Sequence, residues 1–128
     1  MTGRTPASPT EEFIARYTAL WNERDPGRRR AEVEQLWTPD AILVDPFCDV
    51  AGWDAIEAQV EDAQREFPGM TFRLDGPVDA HHRTARMPWA MAPPDGPAAL
   101  SGIDILIWSE DGRLSSVLGF FDNSEERP

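Results

Sequence analysis

The chain has 128 residues, 41% of them hydrophobic and 27% charged, which is the composition of one globular domain with a real core. Its formal net charge of −11 repels a phosphate backbone and argues against nucleic acid as a partner. All 12 cations are arginine, so Schiff-base chemistry on a lysine amine is excluded.

Residues 1–9 are polar and proline-containing, without an apolar signal region, and read as a disordered tail. The domain is expected over 10–123, with a second short tail at 124–128. Ser8-Pro9-Thr10-Glu11 has the form of a capping box with proline at the first helical position. Phe13, Ile14, Tyr17, Leu20 and Trp21 then fall on one helical stripe. The segment from Asn22 to Gly27 breaks that helix. A second one follows, with Val33, Leu36 and Trp37 inward and the run Arg28 to Arg30 on a solvated face. Ala41 to Val44 is a short buried strand that Asp45-Pro46 stops, because proline cannot donate to a ladder.

Cys48, the single cysteine, cannot form an intrachain disulfide, and no Cys/His cluster has metal-ligand spacing. A reducing, cytoplasmic setting and no metal are expected. Gly52 to Phe67 carries Ile56, Val60, Ala63 and Phe67 on one side of a third helix that Pro68-Gly69 ends. From Met70 the pattern turns to strands: 71–75, 78–82, 86–92, 98–108 and 114–121. Helices followed by an antiparallel meander imply an α+β domain. No run nears the ~20 apolar residues that span a bilayer, so no membrane partner is expected.

Three side chains carry chemical information. Asp104 lies in Ile103-Asp104-Ile105-Leu106-Ile107-Trp108, apolar on both faces. A carboxylate there must be paired, metal-bound or protonated. A neutral acid with a raised pKa and an aspartate bonded to backbone or arginine at a strand edge are both open. Asp45 ends a strand where a side chain can overlook a cavity, or it simply starts a turn. Tyr17, the only tyrosine, is on the core face of the first helix and needs a partner for its hydroxyl.

Taken in order, these motifs resemble ketosteroid isomerase and its SnoaL-like relatives in the nuclear transport factor 2-like superfamily. The likeness runs from Phe13 to Asp122 through Arg16-Tyr17, Leu36-Trp37-Thr38-Pro39-Asp40-Ala41, Val44-Asp45-Pro46, Gly52, Gly76-Pro77-Val78, Met87-Pro88-Trp89 and Ile103-Asp104, followed by Asp111-Gly112-Arg113. The resemblance implies a cone: a curved antiparallel sheet wrapped on three N-terminal helices around an apolar pocket, an α+β barrel. It also implies cofactor-independent proton transfer beside a carbonyl, with Asp45 as base and Tyr17 and protonated Asp104 as an oxyanion hole. Two tyrosines that support the isomerase network are replaced here, by Trp37 and Val60. Pocket residues implied are Trp21, Trp37, Gln59, Val60, Met87, Trp89, Met91, Leu100, Val117 and Phe121, with Asp122 as a rim acid or base.

A small apolar carbonyl compound is the ligand implied. A SnoaL-like aldol-type polyketide cyclase and a non-catalytic binder of hydrophobic ligands are the other readings. Gly102, where the fold's epoxide hydrolases carry arginine, argues against epoxide opening. His81 and His82 near a hairpin end, and Arg86 on the face opposite Met87, are read as surface residues. The second sheet face, apolar at Ile103, Ile105 and Ile107, implies a homodimer.

Overall fold

A computed structural model describes residues 8–122. Of the tails read at 1–9 and 124–128, residues 1–7 and 124–128 lie outside the described residues, as does residue 123. Helix α1 (Pro9–Asn22) starts on the capping box: Glu11 N donates to Ser8 Oγ at 3.0 Å, and Ser8 N to Glu11 Oε1 at 2.8 Å. Its last residue, Asn22, exchanges two 2.8 Å side-chain bonds with the backbone of Phe72. The helix is thereby tied to the sheet it covers.

Helix α2 (Pro26–Leu36) begins on Asp25, whose carboxylate accepts Arg28 N at 2.8 Å. The arginine run is not one solvated face. Arg29 is buried, with Nη1 on Glu23 O at 3.2 Å and Nε 3.7 Å from Glu57, because helix α3 (Trp53–Glu66) turns an acidic side toward α2. Trp37 is not helical either; it opens strand β1 (Trp37–Asp45), which starts four residues earlier than expected.

Strand β2 (Cys48–Ala51) is a further departure. Asp45-Pro46 does not simply stop the chain but folds it into a hairpin, with Asp45 Oδ1 accepting Phe47 N at 2.7 Å and Cys48 N at 3.1 Å. The remaining strands are β3 (Thr71–Leu74), β4 (Asp79–His81), β5 (Thr84–Ala92), β6 (Leu100–Trp108) and β7 (Leu114–Phe121). The order is β2-β1-β7-β6-β5-β3, with β4 also on β5.

Three helices against a curved seven-stranded sheet give the expected α+β cone. Two details differ from a closed antiparallel barrel. The sheet stays open, and β1 runs parallel to β7, since the last strand returns beside the first in the same direction. On β6, Gly102, Asp104 and Leu106 are buried toward the helices, and the alternate Ile103, Ile105 and Ile107 face away. Among the described residues no helix is long and apolar enough to cross a membrane.

Candidate active site

The site grows from three adjacent strands. Register places Asp104 of β6 opposite Gly119 of β7, while Val44 of β1 pairs with Leu118, so Asp45 and Asp104 flank Gly119 on one face. A Cβ at Gly119 would stand 3.0 Å from Asp45 Cβ and 3.1 Å from Asp104 Oδ1. Only glycine leaves that gap. Gly119→Val is expected to cost about 1–3 kcal/mol through overpacking and to displace both carboxyls, as urea unfolding would measure.

Asp104 is 7% exposed, and each of its oxygens has a donor. Tyr17 Oη donates to Oδ2 at 2.7 Å, and Trp89 Nε1 donates to Oδ1 at 2.9 Å. The second bond depends on a neighbour. Trp89 pairs with Gly102, where a Cβ would fall 2.9 Å from Trp89 Cζ2. With no side chain there, the indole lies over β6 and reaches the carboxyl two residues on.

Burial pushes the Asp104 carboxyl from its ordinary 3.8 up to about 7; the charge of Asp45 adds to this, and the bonds from Tyr17 and Trp89 oppose it. Burial first, then the charge of Asp104, raises the Tyr17 phenol well above its usual range. The Trp21 indole N–H favours the phenolate, although it is buried without reaching hydrogen-bond geometry to any acceptor. Burial and then Asp45 push the Cys48 thiol up to about 12, so it stays protonated at neutral pH. Among the described residues no three His, Cys, Asp or Glu side chains are placed to hold a metal ion.

Asp104 forms part of the wall of an inner hollow of about 50 Å³. Five rings belt it: Trp21 to Phe72 at 5.7 Å, Phe72 to Trp89 at 5.4 Å, Trp89 to Phe121 at 5.6 Å and Phe121 to Phe47 at 5.0 Å. An outer cleft of about 420 Å³ shares Trp21, Asp45, Phe47, Ala63 and Phe67 with the hollow and adds Gln59, Asp62, Arg65 and Glu66. Asp45 is half-buried and stands where the two meet.

Of the pocket residues expected from the sequence, Trp21, Trp89, Met91, Leu100 and Phe121 line the hollow, and Gln59 lines the cleft. Trp37, Val60, Met87 and Val117 line neither. All four are wholly buried members of the core cluster. Tyr17 is also 0% exposed and lines neither cavity; its hydroxyl meets the hollow through Asp104.

Asp122 is exposed outside both cavities and accepts from Ser101 Oγ at 3.1 Å. His81, His82 and Arg86 are exposed as read. Leu43, Phe47, Ala63, Phe67 and Phe72 complete the hollow; the sequence places Ala63 and Phe67 on the apolar side of the third helix but none of the five in a pocket. Phe72 was accessible as the buried member of an alternating strand, whereas Phe47 depends on the unread hairpin.

Comparison with known proteins agrees with this fold. The SnoaL-like domain family matches residues 14–117. A "putative isomerase of the SnoaL-like family" from Agrobacterium tumefaciens superposes with a TM-score of 0.81 at 37% identity, covering 87% of this chain and 95% of that one. An NTF2-like protein of unknown function from Exiguobacterium follows the same fold at 19% identity and TM-score 0.68, covering 87% and 98%. A SnoaL-like protein of unknown function from Burkholderia thailandensis does so at 13% identity and TM-score 0.68, covering 91% and 98%. No curated protein matches. The chain belongs to the SnoaL-like domain family, on the NTF2-like fold.

Proposed function

We propose that the protein catalyses proton transfer beside the carbonyl of a small apolar compound, without a cofactor. One observation carries this reading: two carboxyls in unlike environments face one aromatic hollow across Gly119. Asp45, half-buried and fixed by two backbone N–H groups, is the base. It takes a proton from the carbon next to the carbonyl, and the C–H electron pair moves into the enolate. Asp104, kept neutral by burial, donates a hydrogen bond to the enolate oxygen. Asp45 then returns the proton to a different carbon, which completes an isomerisation; in an aldol-type closure the enolate carbon instead attacks a second carbonyl of the substrate, and Asp45 gives the proton to the alkoxide that forms.

The hollow admits only a compact head carrying the carbonyl, and the rest of the substrate lies in the more polar cleft. Incubation with cyclopentanone in D₂O should exchange its α-hydrogens faster than buffer, seen by proton NMR. Exchange at the buffer rate, with the ketone bound, would make the protein a binder rather than an enzyme.

The working form is proposed to be a homodimer. The outer sheet face presents Ile103, Ile105 and Ile107 beside Leu118 and Phe120, the last 59% exposed, and a second copy would bury them. Light scattering should return twice the 14.3 kDa chain mass and a monomer for Ile105→Glu; a wild-type monomer would refute the dimer. The free, half-buried Cys48 suits a cytoplasmic protein.

A further inference from the structure

We propose that Trp89, rather than Tyr17, supplies the second hydrogen bond to the oxygen of a bound ligand. The inference rests on the proton-transfer reading for what that oxygen becomes, but its placement follows from the geometry of the two donors on a protonated Asp104.

The two donors on Asp104 are not equivalent. Tyr17 approaches Oδ2 from the core side, is wholly buried and lines neither the hollow nor the cleft. Trp89 approaches Oδ1 and is itself part of the hollow's wall, between Phe72 and Phe121. Oδ1 is also the oxygen turned toward Gly119, beyond which stands Asp45. The ligand oxygen and the base therefore belong on the Oδ1 side.

The hydrogen-bonding inventory leads to the same place. The phenol of Tyr17 has one O–H, which Oδ2 accepts, so Oδ2 serves as the carbonyl-like oxygen of the neutral acid. The acid proton then resides on Oδ1, beside an indole N–H that can only donate. The one indole N–H is given to Oδ1 while the hollow is empty; a ligand oxygen entering beside Oδ1 accepts from the Asp104 hydroxyl and takes over or shares that N–H, which the cavity-lining Trp89 can offer and the core-bound Tyr17 cannot. Tyr17 acts behind them as a positioning residue that keeps the proton on the useful oxygen. Gly102, which lets the indole lie across β6, is part of the same arrangement. Apart from Asp104 itself, the titratable groups that face this point are Tyr17 from α1 and Asp45 from β1; β5 and β7 bring Trp89 and Gly119.

The test is the infrared carbonyl stretch of bound cyclopentanone, read with its α-exchange rate. In the wild type, two donors should shift the stretch to lower frequency. Trp89→Phe should remove about half of that shift and slow exchange about 100-fold, the usual loss for one such donor. Tyr17→Phe should keep the shift and move the fall of exchange to higher pH, because a bond favouring ionised Asp104 is gone. A shift kept in Trp89→Phe but lost in Tyr17→Phe overturns the proposal, as does no shift in the wild type at saturating ketone.

A full two-donor shift without exchange would instead sink the proton-transfer reading and leave this one standing. Should Trp89→Phe fail to fold, the Trp89 indole ¹H–¹⁵N signal of the wild type decides. It must move as ketone is added, and a stationary signal overturns the proposal.

Discussion

Asp45→Asn is expected to slow α-hydrogen exchange by about 10²–10⁴-fold, the usual contribution of a positioned base, with ketone affinity and stability almost unchanged. The substitution is selective because of what Asp45 Oδ1 does in the fold. It accepts the backbone N–H groups of Phe47 and Cys48 and so closes the β1–β2 hairpin. The amide oxygen of asparagine can accept both bonds, so the turn and the mouth of the hollow survive. What the amide cannot do at neutral pH is take a proton from carbon. Exchange at the wild-type rate in this variant would remove Asp45 from the mechanism.

The second large effect is on stability and depends on pH. The native Asp104 carboxyl is raised from 3.8 to about 7, so it opposes folding wherever the unfolded chain ionises and the native one does not. Below about pH 4 both states hold the proton and the term vanishes. Between about pH 4 and 7 it grows, and above 7 it levels at about 4 kcal/mol, from about three units at 1.36 kcal/mol each.

Asp104→Asn removes this dependence but places an amide N–H₂ against either Tyr17 or Trp89, losing one hydrogen bond of about 1 kcal/mol at every pH. The variant should therefore be about 1 kcal/mol less stable than the wild type at pH 4 and about 3 kcal/mol more stable at pH 8. Urea denaturation at the two pH values reads both signs. A difference that does not change with pH would mean that Asp104 ionises as easily in the native protein as in the unfolded one. Activity follows the same group: it requires the protonated form, so it falls as pH rises past about 7.

Asp104 was legible in the sequence because strand alternation put a carboxyl among buried neighbours, and burial forces such a group to be paired or neutral. Tyr17 was legible by the same logic, from helical spacing and the need of a buried hydroxyl for a partner. Their meeting was in neither pattern, for it depends on how α1 lies across β6; only the resemblance, which puts both in one oxyanion hole, implied it. The part played by Trp89 was further out of reach. It needs the register that sets Trp89 against Gly102, and no single strand's pattern contains that register.

The hairpin after Asp45 was missed because aspartate before proline reads as a stop, and the side-chain bonds that turn the chain back are visible only in three dimensions. Arg29 was misplaced because a basic run on a polar helix reads as solvated; acids on a facing helix pulled one member inward. Trp37, Val60, Met87 and Val117 show the limit of carrying a pocket over by position, since pocket walls and packed core have the same composition.

Carbon NMR of protein labelled at the aspartate carboxyls tests the whole account at its root. One signal should titrate with a midpoint near pH 7 and should vanish in Asp104→Asn. If every carboxyl titrates in the ordinary acid range, Asp104 is charged at neutral pH, and neither the hydrogen bond to an enolate nor the stability term survives.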